Sequence, residues 1–124
     1  IAVNITINEL LEMEIFEKEY TIRGKTTYEA IFKGVKVNYL LQEIVSLAMG
    51  ASVITFQAFD GYSLSLAISA IAPEMLLAFA KDGAYLDKAE NGGMGYLSVI
   101  DPIKDEFDYN GPRCVKNIVE IIIS

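Results

Sequence analysis

The sequence predicts an α+β domain with mixed β-sheets and one main helix. Three observations predict it. Short segments rich in Val, Ile, Phe and Tyr alternate apolar and polar residues along much of the chain, the period of half-buried strands. Tyr39 to Met49 alone carries a long apolar stripe at helical spacing: Leu40, Leu41, Ile44, Val45, Ala48 and Met49. Met75 to Ala80 is continuously apolar, the mark of a strand covered on both faces.

In chain order, Val3, Ile5 and Ile7 alternate with Asn4 and Thr6 and predict a first strand. Asn8 is a cap residue for a brief helix holding Leu10, Leu11 and Met13. Ile15 to Ile22 and Thr26 to Phe32 predict a hairpin closed at Arg23-Gly24-Lys25, and Lys33-Gly34 is expected to break its second strand. Asn38 is expected to cap the main helix and Gly50 to stop it. Val53 to Phe59 and Tyr62 to Ala67 form strands around the turn dipeptide Asp60-Gly61. Ile68 to Ala72 reads as a helical turn ended by Pro73, and Lys81-Asp82-Gly83 closes the apolar strand. Asp87 to Gly95 is a polar, glycine-rich loop, and Tyr96 to Ile100 is a further strand. Asp101 to Cys114 is a long acidic loop with Pro102, Gly111 and Pro112, and Val115 to Ile123 is the last strand.

The 124 residues suit a single domain spanning the whole sequence, with no linker, repeat or low-complexity tract inside it. Hydrophobic residues make up 52% and charged residues 22%, which excludes intrinsic disorder. One cysteine excludes a disulfide scaffold. The net charge is −7, from 17 acids against 10 bases with no basic cluster, so nucleic acid and anionic membrane surfaces are excluded as general partners. The absence of histidine removes histidine-based triads and histidine zinc sites, and a lone cysteine removes cysteine-rich metal sites. The least charged stretch, Tyr62 to Ala80, is broken by Pro73-Glu74 and reads as strand and short helix instead of a membrane span. The sequence begins at Ile1, so the expectation is a piece of a longer chain with a leader or anchor upstream. The compartment stays open on these grounds, with a place outside the cytoplasm preferred over one inside it.

Five groups of residues have the chemistry of a site. Asp60-Gly61-Tyr62-Ser63 offers a carboxylate and two hydroxyls to a polar ligand, or forms a turn whose aspartate bonds its own backbone. Asn91-Gly92-Gly93-Met94-Gly95 is glycine-rich but runs from loop to strand, the wrong order for a nucleotide-binding loop. Asp101, Asp105, Glu106, Asp108 and Asn110 lack the spacing of a calcium loop and read as a solvated acidic loop. Cys114 lies between Arg113 and Lys116 but has no histidine to act as a base, so it reads as a small buried hydrophobe at a strand start. Arg113 and Lys116 either hold an anionic group or balance the acidic loop before them.

The segments also resemble a known family in their order. Gly34-Val35-Lys36-Val37-Asn38-Tyr39-Leu40-Leu41 resembles the "G-V-x-L-x-x-L-L" segment of the sulfite-oxidase-like molybdopterin-binding domain. A strand ending in Asp60-Gly61-Tyr62-Ser63, then Met75-Leu76-Leu77-Ala78 with Asp82-Gly83-Ala84-Tyr85-Leu86, is similar to that family's next elements. Gly92-Gly93, Tyr96-Leu97-Ser98-Val99 and Pro102, then Val115-Lys116-Asn117-Ile118, are similar to its closing segments.

The resemblance implies a domain that cradles a molybdenum-bearing pterin, with a cysteine upstream of the "G-V" segment on the metal. No cysteine precedes Gly34 here. The family's histidine falls at Asn91 and its arginine at Tyr96, while Asp60 and Lys116 match retained polar positions. The resemblance therefore implies the scaffold without catalytic or metal-ligating residues. On this reading the chain binds a small polar or anionic ligand, or a protein partner, without a cofactor. The candidate lining residues are Asp60, Tyr62, Ser63, Asn91, Tyr96 and Lys116, with Arg113 added from its charge. The alternatives are a molybdenum-cofactor oxidoreductase domain and a structural module of a surface protein.

Overall fold

A computed structural model of the chain describes residues 2–3, 7–44, 50–86 and 97–124. The described residues form two antiparallel sheets with two helices. The elements are β1 (Ala2–Val3), α1 (Ile7–Leu11), β2 (Phe16–Arg23), β3 (Thr27–Lys36), α2 (Val37–Ile44), β4 (Val53–Ala58), β5 (Ser63–Ala67), β6 (Leu76–Lys81), β7 (Ala84–Tyr85), β8 (Ser98–Ile100) and β9 (Ile118–Ile123). One sheet has the order β1-β9-β4-β5, and the other has β2-β3-β6 with β7 and β8 sharing the far side of β6. Every described strand pair is antiparallel, which corrects the expectation of mixed sheets. The α+β content stands.

The two sheets bury a common core. Ile54 and Phe56 of β4 and Ile118, Ile121 and Ile123 of β9 meet Val35, Leu77, Phe79 and Val99 from the other sheet. Leu10 and Leu40 bring both helices into the same cluster. A second cluster lies on the opposite face of the β2-β3-β6 sheet and holds Tyr20, Ile22, Ala30, Phe32, Leu76, Ala78, Ile100 and Cys114. From Leu76 to Phe79 successive residues of β6 thus enter different cores, as a two-residue period requires, and Ala80 joins the first. This is why Leu76 to Ala80 is apolar at every position and fully buried.

Gly34 does not end β3. The strand runs on to Lys36 through a register shift against β6 between Lys33 and Gly34. A Cβ at Gly34 would lie 2.1 Å from the Leu77 carbonyl oxygen, so this glycine permits a backbone contact that any side chain would block. Other boundaries differ too. Ile7 belongs to α1 and not to the first strand, and Asn8 lies inside that helix instead of capping it. The main helix starts at Val37, whose N–H donates to the Met75 carbonyl at 2.9 Å, so Asn38 sits in its first turn instead of capping it. Its expected end at Met49 lies outside the described residues. Only Ile68–Ala70 forms the helical turn before Pro73. The last strand begins at Ile118, not Val115.

The sequence reading omitted the short β6–β7 hairpin. Asp82 and Gly83 both have positive φ, 50° and 84°, the signature of a tight two-residue turn. Asp82 ties that turn to β3: its Oδ1 accepts the Ile31 N–H at 2.9 Å, and its own N–H donates to the Ile31 carbonyl at 2.7 Å. No helix among the described residues is long and apolar enough to cross a membrane.

Candidate functional site

The outer face of the β2-β3-β6 sheet carries the second apolar cluster, and a loop folds over it. That loop, residues 101–117, crosses from β8 in one sheet to β9 in the other. Asn110 fixes its path. Its side chain is fully buried, and its Oδ1 accepts the Arg23 N–H at 2.7 Å. Its Nδ2 donates to the Thr21 carbonyl at 3.0 Å and to the Asp101 carbonyl at 2.7 Å. One amide thereby satisfies two backbone groups on the outer edge of β2, as a neighbouring strand would. Gly111 then lies so close to the β2–β3 turn that a Cβ would meet the Arg23 carbonyl oxygen at 2.8 Å.

Arg113 braces the same loop. Its Nε donates to Asp101 Oδ2 at 2.5 Å, and its two terminal nitrogens donate to Asp108 at 2.9 and 2.5 Å. This fork holds the Asp108 carboxyl well below its usual range, at about 2, and raises the guanidinium further above its ordinary value. Asp108 also accepts the Lys104 N–H, and Asp105 accepts the Phe107 N–H. The acidic loop is therefore closed on itself. No group of three carboxylate or thiol ligands suited to a metal ion occurs among the described residues.

Between the braced loop and the sheet lies a cleft of about 900 Å³. Its floor is the second apolar cluster: Ile22, Phe32, Ile100 and Cys114. Tyr28 rises from β3, Lys25 stands on the β2–β3 turn, Lys81 and Tyr85 come from the β6–β7 hairpin, and Tyr109 and Lys116 come from the crossing loop. Among the described residues the lining includes three lysines and no carboxylate, although the whole chain carries −7. Lys81 Nζ lies 4.8 Å from the centre of the Tyr28 ring. Burial pushes the Tyr28 phenol up, helped by the neighbouring Cys114. Burial also pushes the Cys114 thiol up to about 11. Its Sγ donates to the Asp101 carbonyl at 3.7 Å. Tyr28 and Cys114 are thus both held in their neutral forms at neutral pH.

A second hollow of about 370 Å³ adjoins the same stretch, residues 111–117, and includes Ala58, Asp60 and Tyr62. Asp60 Oδ1 accepts the Tyr62 N–H at 3.0 Å, the self-bonded turn that its sequence suggests. The Tyr62 hydroxyl reaches across the hollow and donates to the Pro112 carbonyl at 2.7 Å. Gly111, Pro112, Cys114, Lys116 and Asn117 line both hollows. The backbone around Lys116 is held from two directions. The Val99 N–H donates to the Val115 carbonyl and the Ile118 N–H to the Leu97 carbonyl, while the Phe59 N–H donates to the Asn117 carbonyl. Lys116 is exposed at the junction.

Of the residues expected from sequence, Asp60, Tyr62 and Lys116 come together around the second hollow, and Lys116 also reaches the main cleft. Ser63 is exposed at the start of β5 and lines neither hollow. Arg113 lines neither hollow, and its guanidinium pairs with Asp101 and Asp108, the charge balance against the acidic loop that its sequence also allows. Asn91 and Tyr96 lie outside the described residues. Cys114 is buried as expected, but it precedes the last strand by several residues and forms part of the cleft floor. The sequence reading missed Lys25, Tyr28, Lys81, Tyr85 and Tyr109. The Asp82-Gly83 dipeptide was the available signal for two of them, because a hairpin there brings Lys81 and Tyr85 back to one edge of the sheet.

No protein-family model matches the chain, and no curated protein matches it. Among solved structures, it is similar to the sulfane dehydrogenase SoxCD from Paracoccus pantotrophus. The TM-score is 0.74 at 14% sequence identity, over 96% of this chain and 34% of that one. The chain thus spans about a third of the length of the protein it matches. At that identity the match establishes the architecture alone: the chain has the fold of one part of SoxCD.

Proposed function

We propose that this domain is a non-catalytic binding module that takes a small anionic ligand in the lysine-lined cleft. The observation that carries this reading is charge segregation. In a chain of net charge −7, this cleft collects Lys25, Lys81 and Lys116 and, among the described residues, no carboxylate. An anion there meets favourable potential above an apolar floor, where attraction exceeds that on open surface.

A molybdenum-bearing pterin is the group that the sequence resemblance implies, and the cleft residues fit only part of it. The lysines suit an anionic organic tail. The strand upstream of Gly34 presents Tyr28 and Phe32 to the cleft, with no thiol. The Cys114 thiol comes from the opposite wall and is protonated at neutral pH, whereas a soft metal takes a thiolate. The donor set does not fit a metal held by this chain, and no chemical step is derived through one. A second reading, an oxidoreductase domain, draws support from the fold shared with a dehydrogenase.

Calorimetric titration with citrate separates the readings, together with molybdenum analysis of protein from a host that makes the cofactor. The expected result is salt-sensitive citrate binding that Lys116→Ala and Lys81→Ala each weaken by roughly two- to fivefold, the scale of one exposed ion pair. Stoichiometric molybdenum, lost on Lys116→Ala, would overturn the proposal in favour of the oxidoreductase. Binding that ignores both lysines would remove the cleft from it.

A further inference from the structure

Two of the strands that end the sheets are guarded very differently. β2 ends one sheet. It carries Glu17, Lys18 and Glu19, and the Asn110 amide occupies its edge at Thr21 and Arg23. Charges and a covering loop of this kind keep a strand edge from pairing with another chain. β5 ends the other sheet and has neither charge nor proline. From Gly61 to Pro73 the sequence holds no charged residue, in a chain of net charge −7. β5 also runs in unbroken register with β4 from Ser63 to Ala67, so no bulge turns its edge aside. The Ala58 N–H donates to the Tyr62 carbonyl at 2.7 Å before the strand, and the Ile68 N–H donates to the Ser52 carbonyl at 2.9 Å after it. Bonded pairs alternate along an antiparallel ladder. Leu64 and Leu66 therefore bond to β4, while the N–H and C=O groups of Ser63, Ser65 and Ala67 point away from it. Among the described residues those outward groups have no backbone partner. Leu64 and Leu66 are half-buried, whereas Phe56 and Ile54 opposite them on β4 are fully buried.

We infer that β5 is a docking edge for a second copy of this chain, the two β5 strands pairing antiparallel about a two-fold axis at Ser65. The strand is self-complementary in that register. Ser65 opposes its own counterpart, Ser63 opposes Ala67, and Leu64 opposes Leu66, so each outward N–H of one copy meets an outward carbonyl of the other. On the exposed face, Ser63, Ser65 and Ala67 are small enough not to obstruct the approach. On the core-facing side, Leu64 and Leu66 cover the open flanks of their counterparts. The two β1-β9-β4-β5 sheets then run together as one. Charge selects a second copy as the occupant. Copies at −7 repel one another over most of their surface and meet most readily along a stretch without charge that matches itself. A five-residue edge buries less than the roughly 1,000 Å² of a stable interface, so the dimer is weak and forms at high concentration. This inference is independent of the anion-binding reading of the cleft.

Sedimentation equilibrium of the chain from about 10 µM to about 1 mM tests it, with amide exchange measured by NMR at both ends of that range. The expected result is a reversible monomer–dimer equilibrium. At the high end, exchange at Ser63, Ser65 and Ala67 should slow by about two- to tenfold, with smaller changes at Leu64 and Leu66, which already bond to β4. Ser65→Lys and Ser65→Glu each bring like charges face to face on the axis and should weaken association by about fivefold or more. Mixed in equal amounts, the two variants should associate at least as well as the unaltered chain, because unlike charges then meet. Ser65 is exposed and its hydroxyl meets Thr55 at 2.7 Å, so the fold tolerates both changes, and an unchanged urea midpoint at the low concentration is the control. A chain that stays monomeric throughout refutes the inference, which is also the outcome if the edge serves a different protein. Association indifferent to both charges, or not restored by mixing, places the contact elsewhere and refutes it as well. Mass that grows past the dimer refutes the closed two-fold pairing.

Discussion

Replacing Asn110 by alanine is the sharpest way to test how the cleft is built. The side chain is fully buried and makes three hydrogen bonds to backbone groups. Asn110→Ala leaves the Arg23 N–H and the Asp101 carbonyl short of a partner away from solvent. The Asp101 carbonyl keeps only the weak Cys114 thiol contact at 3.7 Å. Each stranded buried group costs about 1–3 kcal/mol, while the Thr21 carbonyl on the sheet edge regains water at little cost. The expected loss is about 3 kcal/mol, a large share of the roughly 5–15 kcal/mol that holds such a domain together. At about 4 °C per kcal/mol for a chain of this size, the midpoint of thermal unfolding falls by about 12 °C. Urea titration should show a lower midpoint at unchanged slope, because the surface exposed on unfolding is the same. Asn110→Asp should be no milder: it keeps the acceptor for Arg23 but turns a carboxylate toward two carbonyls. Citrate affinity should fall with stability in both variants, since the loop carries Lys116. A loss below about 1 kcal/mol, or a cleft that still binds citrate normally, would refute the idea that this amide seats the loop.

Two further predictions follow from the same geometry. Gly34→Ala places a methyl group 2.1 Å from the Leu77 carbonyl oxygen and 2.7 Å from the Ala78 Cα, so β3 and β6 must separate. The expected loss is about 3 kcal/mol or more by urea unfolding, and a near-normal midpoint would show that the bulge can relax. Arg113 lowers the Asp108 carboxyl from 3.8 to about 2, so the folded value lies below the unfolded one. Its stabilisation is present above the unfolded value and is lost as pH falls through the window between them. The stability gap between wild type and Arg113→Gln should therefore narrow from pH 3.8 to about 2, and a gap that widens there would reject the pairing.

The fold was more legible in the sequence than the site. Alternation located β2, β3 and β5, β-branched and aromatic content located β4, and the unbroken run at Leu76 to Ala80 located the strand shared by two cores. Gly34 misled for a physical reason: a glycine that admits a carbonyl inside a bulge and a glycine that ends a strand look the same in one dimension. The cleft was legible only where a local signal reported it. Asp60-Gly61-Tyr62 announces its own turn, whereas Lys25, Lys81 and Lys116 lie far apart in the chain and meet only when three separate turns converge. Arg113 looked available because of its charge and its nearness to Lys116 in the sequence. Its true partners, Asp101 and Asp108, are brought to it by the fold of the loop.

The segment from Asp101 to Asn117 is the passage by which the chain leaves one layer and joins the other, and it also borders both hollows. Those two duties fall on different side chains. Asn110, Gly111 and Arg113 anchor the passage, while Tyr109 and Lys116 show the outside world their polar ends. Selectivity in such an arrangement can drift by exchange of the outward residues alone, with the joinery beneath left untouched, so relatives sharing this architecture are free to recognise quite different molecules.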